Sequence, residues 1–469
     1  MSLQSEKMAN VDTAWWHMEG PTNLMMITTV MIFEGKLDQA RLRQTLEKRM
    51  LAYDRFRQRV IESRSALGPV VWELDPNFDL DAHIRRVGLP EPGGKTELEQ
   101  LVSDLMSTPL DYSKPLWQIH IVENYEDGFA VINRLHHCIA DGIALMRVLL
   151  SLTDDNPDAV WFEEETTSNG RRRGILSRAF GPAVGVARTT SRLSGTLVRE
   201  SAKTIRHPGR IVDATKYGID FTSRLGKVTL RWPDPPTLFK GELGVRKQAA
   251  WSEPVSLADV KAIGTVTGGT VNDVMATAVT GALRRYMEDQ GAQTAGLNFR
   301  AYIPFNLRPL DQPIELGNRF GLVFLSLPIG TVDQLERLQI IKQRMDELKD
   351  SPEAAVAITL LATAGMLPKD IETQMFKLFH AKATAVLTNV PGPQQPLYMA
   401  GGRLRGIMGW VPQAGNVALG ISIISYDGEV LVGINTDNGL VPNPSAIIDH
   451  FYVEFDQLLQ LKNEVEKTS

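Results

Sequence analysis

The stretch 129-FAVINRLHHCIADGIALMRVLLSL-152 decides how this chain is read. Its first half, 129-FAVINRLHH-137, is apolar and partly β-branched, as a buried strand requires. Its second half, 143-IALMRVLLSL-152, has the apolar density of a buried helix. Between them lies His136-His137-Cys138-Ile139-Ala140-Asp141-Gly142, where a strand ends and a helix begins, a common place for reactive groups. His-His-x-x-x-Asp-Gly arises by chance in about one chain in a thousand of this size.

The chemistry of that spacing is coherent. Neutral imidazole titrates near 6.5, so one histidine can take a proton from a hydroxyl or amine at neutral pH. In extended backbone neighbouring side chains face opposite ways, so His136 and His137 cannot both face one cleft while the strand persists. One is then a base and the other packs. Asp141, across a turn allowed by Gly142, would brace the loop or orient the imidazole. Spacing alone leaves open a second reading: two satisfied histidines and a helix-capping aspartate. Cys138 would face away from His137 in a strand, and apolar burial would raise its pKa.

Working outward, 24-LMMITTVMIF-33, 70-VVWEL-74 and 117-WQIHIV-122 read as strands and 38-DQARLRQTLEKRMLAY-53 as a helix capped by Asp38. Beyond residue 247 the pattern predicts helices at 270–287, 333–349 and 444–461, with strands at 297–305, 321–329, 384–390, 419–426 and 429–437. The expected fold is an α/β sandwich of two similar lobes. The first spans 1–162 and the second 247–469, with a crossover over 163–246. Between 171 and 231 fourteen Arg or Lys face three acids, a net +11 in a chain of −5. Apolar residues are interleaved with these charges. Two readings stand: a solvated linker helix, or an interfacial helix drawn to anionic lipid.

At 469 residues and 43% hydrophobic, the chain can bury sizeable cores, and its charge does not suggest general nucleic-acid binding. A single cysteine excludes an internal disulfide and any multi-cysteine metal site. The start, MSLQSEKMANVDTAWW, lacks the pattern of a secretory signal. The longest uncharged apolar run, 354-AAVAITLLATAGML-367, is too short to span a bilayer. It suits a buried helix or one lying at a lipid surface. The expected setting is cytoplasmic, peripheral to the inner face of a membrane or to lipid inclusions.

The 136–142 segment resembles the HHxxxDG motif of the wax ester synthase/diacylglycerol acyltransferase family. That family is grouped with chloramphenicol acetyltransferase, plant acyl-CoA transferases and peptide-synthetase condensation domains. Pro115-Leu116-Trp117 is similar to the family's PLW motif, and Asn272-Asp273 to its ND motif at a helix start. The segments 304-PFNLRP-309, 317-GNRFG-321 and 388-TNVPGP-393 also resemble family segments. One departure stands at 21-PTNLMMITT-29, where many members carry a Pro-Met-His-Val-Gly-like stretch. It bears on the choice of acyl acceptor.

The resemblance implies two chloramphenicol-acetyltransferase-like lobes and an acyl-CoA-dependent O-acyltransferase making wax esters, triacylglycerol or both. It implies His137 as general base, His136 in support, Asp141 and Gly142 shaping the loop, and Asn272 as candidate oxyanion donor. Pro115, Leu116, Trp117, Asp273, Asn306, Arg308, Asn318 and Arg319 are candidate substrate contacts, and for Asn306 with Arg308, or Asn318 with Arg319, bracing of Asp141 stands beside contact to the CoA phosphates. For Pro115-Leu116-Trp117 a packing role stands beside that one, and for Asn272 a helix cap. The partners implied are acyl-CoA, a long-chain alcohol or diacylglycerol, and a lipid surface, with no metal, cofactor or covalent intermediate. A condensation-type transferase using a carrier-protein donor and a catalytically silent lipid-binding protein remain alternatives.

Overall fold

The computed structural model describes residues 5–63, 68–158, 232–306, 314–349, 365–367 and 369–468. The basic 171–231 segment, Arg308 and residues 354–364 therefore lie outside the described residues.

The first lobe opens with strand β1 (Ser5–Lys7) and helix α1 (Asn10–His17), then β2 (Met26–Glu34) and α2 (Gln39–Thr45). Asp38 caps α2 through Arg41 N at 3.0 Å. The helix expected to run on to residue 53 widens after Thr45 into a π turn over Leu46–Met50. There follow β3 (Gln58–Glu62), β4 (Val70–Leu74), β5 (Ile84–Val87), α3 (Lys95–Met106), β6 (Trp117–Tyr125), β7 (Gly128–His136) and α4 (Gly142–Ser151).

The second lobe begins with β8 (Lys247–Trp251), β9 (Val255–Ser256), α5 (Leu257–Thr267) and α6 (Val271–Asp289). It continues through β10 (Phe299–Asn306), β11 (Phe320–Leu327), α7 (Gln334–Lys349), α8 (Lys369–His380) and β12 (Ala385–Pro391). It closes with β13 (Tyr398–Met399), β14 (Gly402–Trp410), β15 (Leu419–Tyr426), β16 (Glu429–Asp437) and α9 (Pro444–Thr468).

Two large sheets result. The first runs β13-β14-β2-β7-β6-β5 and the second β11-β10-β12-β15-β16-β8, with β9 beside β16. A small sheet, β1-β4-β3, completes the first lobe. The 398–410 hairpin comes from the second half of the chain yet sits in the first sheet, with β14 antiparallel to β2. Close packing explains its glycines: a Cβ at Gly402 would overlap the Phe129 ring, and one at Gly409 would press on Thr29.

A second tie crosses the lobes at the edge of the second sheet. Glu99, Ser103 and Ser107, one stripe of α3, accept the edge N–H groups of β8: Trp251 N at 3.0 Å, Ala249 N at 2.9 Å and Lys247 N at 2.8 Å. A strand edge that would otherwise stay unpaired is thereby closed. Among the described residues no helix is long and apolar enough to cross a membrane.

Candidate active site

Strand β7 sits between β2 and β6 and is buried from Phe129 onward, so its end is fixed from both sides. The two histidines leave it in different directions. His137 N donates to Met25 O at 2.7 Å and His136 N to Leu116 O at 2.9 Å. The 21–29 stretch and the Pro-Leu-Trp segment thus both hold the histidines through backbone.

His136 faces away from the cavity described below. Cys138 N donates to its Nδ1 at 3.1 Å, so that nitrogen carries no proton and Nε2–H donates to Glu19 Oε2 at 3.2 Å. Glu19 also accepts from Met25 N and the Tyr112 hydroxyl. This cluster fixes the segment before β2 against the end of β7. Cys138 is fully buried and burial pushes its thiol well up.

His137 turns the other way and lies flat on Trp15, ring centroids 3.9 Å apart, with Phe320 at 5.7 Å. Its Nδ1 is buried without a hydrogen-bond partner. Burial pushes the imidazole down to about 4, with the nearby Asp141 charge the strongest influence in the opposite sense. The adjacent tryptophans of α1 thus straddle the pair: Trp15 covers His137, and Trp16 lies 5.7 Å from His136.

The loop between β7 and α4 is clamped by 317-GNRFG-321. Gly317 N donates to Ile139 O at 2.9 Å. Asn318 Nδ2 donates to the His137 carbonyl at 2.7 Å and to Asp12 Oδ1 at 2.8 Å; Asn318 N reaches the same oxygen at 3.0 Å. Asp141 caps α4 through Ala144 N at 2.9 Å, while its Oδ2 accepts from Arg319 N at 2.9 Å. Asp12, buried in α1, is held up at about 6 chiefly by burial. Sequence reasoning missed it; the only signal was an acid beside the paired tryptophans in 11-VDTAWW-16. Asn318→Ala is expected to lower kcat by about ten- to hundredfold, since small displacements of a reacting group are that costly. KM should move less than about threefold in steady-state assays, because the side chain touches loop backbone and not the cavity.

Gly142 is the first residue of α4 and its φ is not positive, so the expected turn needing glycine is not what it supplies. A Cβ there would meet nothing within 4 Å, and the residue lines the cavity. Glycine keeps the first turn of α4, capped by the Asp141 carboxylate, free of a side chain at the cavity wall.

That cavity, about 140 Å³, lies at the seam of the two lobes. Trp15, His137 and Met146 line it from the first lobe, and Tyr302, Phe320 and Val390 from the second. Its walls are mostly apolar, and no lysine or arginine is among the described lining residues.

The other candidates divide. Asn306 lines the cavity. Pro115, Leu116 and Trp117 do not: all three are buried, and the Trp117 indole donates to Phe56 O at 2.8 Å and stacks on His83. They brace the first sheet and do not line the cavity. Asp273 is likewise buried, closing a capping box with Thr270, whose N–H and hydroxyl reach Asp273 Oδ2 at 2.8 and 2.7 Å. Asn272 is therefore not the cap of α6. Its Oδ1 accepts from Asn389 Nδ2 at 2.7 Å, and Asn389, not Asn272, reaches the cavity wall. Asn318 works on the loop, and Arg319 does so through its backbone, its guanidinium pairing with Glu315 at 2.7 Å in solvent.

Comparison with known proteins agrees with this geometry. The wax ester synthase/diacylglycerol acyltransferase catalytic domain matches residues 8–275, and the C-terminal domain of the same family residues 316–459. A putative diacylglycerol O-acyltransferase of Mycobacterium bovis is 28% identical over 432 residues, 90% of this chain and 89% of that protein. A putative diacylglycerol O-acyltransferase of Mycobacterium tuberculosis is 28% identical over 481 residues, 98% of this chain and 91% of that one. The solved wax ester synthase/diacylglycerol acyltransferase of Marinobacter aquaeolei superposes with a TM-score of 0.67 at 22% identity, covering 98% of this chain and all of that one. The first condensation domain of the calcium-dependent antibiotic synthetase superposes at 0.59 with 13% identity, over 98% and 96% of the two chains. The fold is thus the two-lobed chloramphenicol-acetyltransferase-like one. With its HHxxxDG loop clamped at an apolar seam, this chain belongs to the wax ester synthase/diacylglycerol acyltransferase family and is an acyltransferase.

Proposed function

We propose that the protein transfers the acyl group of a long-chain acyl-CoA to the hydroxyl of diacylglycerol or a long-chain alcohol, with His137 as general base. The observation that carries this reading is a neutral imidazole on the wall of an apolar cavity between the lobes. Its apolar lining suits acyl chains. A ring held at about 4 is in the proton-accepting form throughout the physiological range.

In the proposed reaction His137 takes the hydroxyl proton as the oxygen attacks the thioester carbonyl. The imidazolium so formed is stabilised by Asp141, the charge that most raises its pKa. The tetrahedral oxyanion meets the amide of Asn389 on the cavity wall, which Asn272 holds in place. Collapse breaks the carbon–sulfur bond, and His137 returns the proton to the CoA thiolate. The route uses no metal, cofactor or covalent intermediate. The basic 171–231 sequence supports a peripheral dock on anionic lipid.

The test is purified protein with one labelled acyl-CoA and a panel of acceptors, read by thiol release and thin-layer chromatography. Ester formed with diolein or hexadecanol is the expected result. No CoA released with any alcohol or diacylglycerol would sink the proposal, and activity only with carrier-bound donors would transfer it to condensation-type chemistry.

A further inference from the structure

A second imidazole lines the same cavity. His380 ends α8, and its ring stacks on Phe376 at 6.0 Å and meets Phe379 edge-on at 6.4 Å. On another side Gly415, with φ +65°, lies so close that a Cβ there would overlap the ring. Among the described residues the ring is seated by van der Waals contact alone. No described residue hydrogen-bonds to either of its nitrogens. Burial, with the Lys240 ammonium acting in the same direction, pushes it down to about 4. It is a neutral imidazole, offering one N–H donor and one acceptor.

Other polar side chains on that wall already have partners inside the protein. Thr29 accepts from Asn133 at 3.2 Å, and Tyr302 donates to Phe379 O at 2.6 Å. Thr388 donates to Ser422 Oγ at 3.0 Å. His380 is different: neither ring nitrogen has a partner among the described residues, and with Nδ1 lying against Gly415 it is Nε2 that is left to meet a ligand.

The substrates differ in what they could offer it. An acyl chain or a fatty alcohol carries no polar atom beyond the reacting centre. The phosphates of CoA call for cations, which the described wall lacks, and its pantetheine amides are common to reactions with either acceptor. A diacylglycerol brings two ester carbonyls in with its hydroxyl, and a buried carbonyl left without a donor is unfavourable. An alkyl chain laid across His380 would instead leave the imidazole buried and unpaired. We propose that His380 selects the acyl acceptor, its N–H donating to an ester carbonyl of a bound diacylglycerol and so favouring glycerides over plain long-chain alcohols. This rests on the reading that the cavity holds the acceptor.

Two variants test it: His380→Phe, which keeps an aromatic ring against its neighbours, and His380→Gln, which keeps an N–H donor. With labelled acyl-CoA in mixed micelles, His380→Phe is expected to lower kcat/KM for diolein at least about tenfold, the value of one well-placed hydrogen bond. For hexadecanol it should change less than about threefold, and His380→Gln should recover most of the diolein rate. Equal losses on both acceptors, or none on diolein, overturn the proposal.

Binding gives a readout independent of turnover, because Trp15 and Trp410 both line the cavity. Titrating tryptophan fluorescence with diolein and with hexadecanol should show the affinity ratio of the two falling about tenfold in His380→Phe. An unchanged ratio overturns the contact. A wild type that binds diolein in a His380-dependent way yet releases no CoA would defeat the acyl-transfer reading and leave this one standing.

Discussion

His137→Ala is expected to reduce ester formation by about 10²- to 10⁴-fold, the usual contribution of a positioned general base. The fold should survive. The loop's bonds to Met25 and Asn318 run through the backbone of residue 137, and the imidazole makes no hydrogen bond with its buried Nδ1. What is lost is the stack on Trp15, so circular dichroism should be unchanged and the melting temperature only modestly lower. The pH profile separates this base from an ordinary exposed histidine. With the free-enzyme group held at about 4, kcat/KM should stay flat from pH 8 to about 5 and fall as pH approaches 4. An exposed imidazole would already be losing rate at 6.5. Retention of more than about a tenth of wild-type activity in His137→Ala would remove the histidine from the chemistry.

How much of this could be read in advance depends on the range of the contact. Strand β7 and helix α4 are visible in 129–152 because burial pattern and motif are local. The opposite facing of His136 and His137 follows from the two-residue period of a strand, and the structure has it so. Asp12 was not legible, since its role is to meet Asn318, 306 residues away. Nor does the sequence tell Asn318, acting by side chain, from Arg319, acting by backbone; only the pairing of residue 317 with the HHxxxDG loop does. Strand β14 hides for another reason. In 402-GRLRGIMGW-410 glycine and arginine break the apolar alternation, because the strand must pass close to Phe129 and Thr29. Asn272 illustrates the same limit: a motif match finds the residue, but whether it meets a ligand or another amide is decided by Asn389, 117 positions on.

The second large expectation is a steep loss of stability between pH 6.5 and 4, and its sign follows from which state binds protons. His137 and His120 are both buried and pushed down to about 4, His120 by burial first and then by Arg134 and Arg85. Above 6.5 these rings are neutral whether the chain is folded or not, and their full contribution is present. As pH falls from 6.5 to 4 the unfolded chain takes up protons that the folded one refuses, so stability drops, by up to roughly 3 kcal/mol for each ring. His380 acts in the same sense. Asp12 acts in the opposite one: held up at about 6, its folded carboxyl binds a proton before the unfolded one does. It contributes stability at low pH that is lost as pH rises through 6, and so offsets about one histidine. The remaining acid loss is comparable with the whole net stability of an ordinary domain, roughly 5–15 kcal/mol. Urea unfolding at pH 7 and pH 4.5 should therefore show a much lower midpoint at the acid end. Asp12→Asn, which removes the offset, should steepen that loss, and His120→Phe should make it shallower. A midpoint that does not move between the two pH values would mean that these rings are protonated in place, and that His137 does not sit neutral against Trp15.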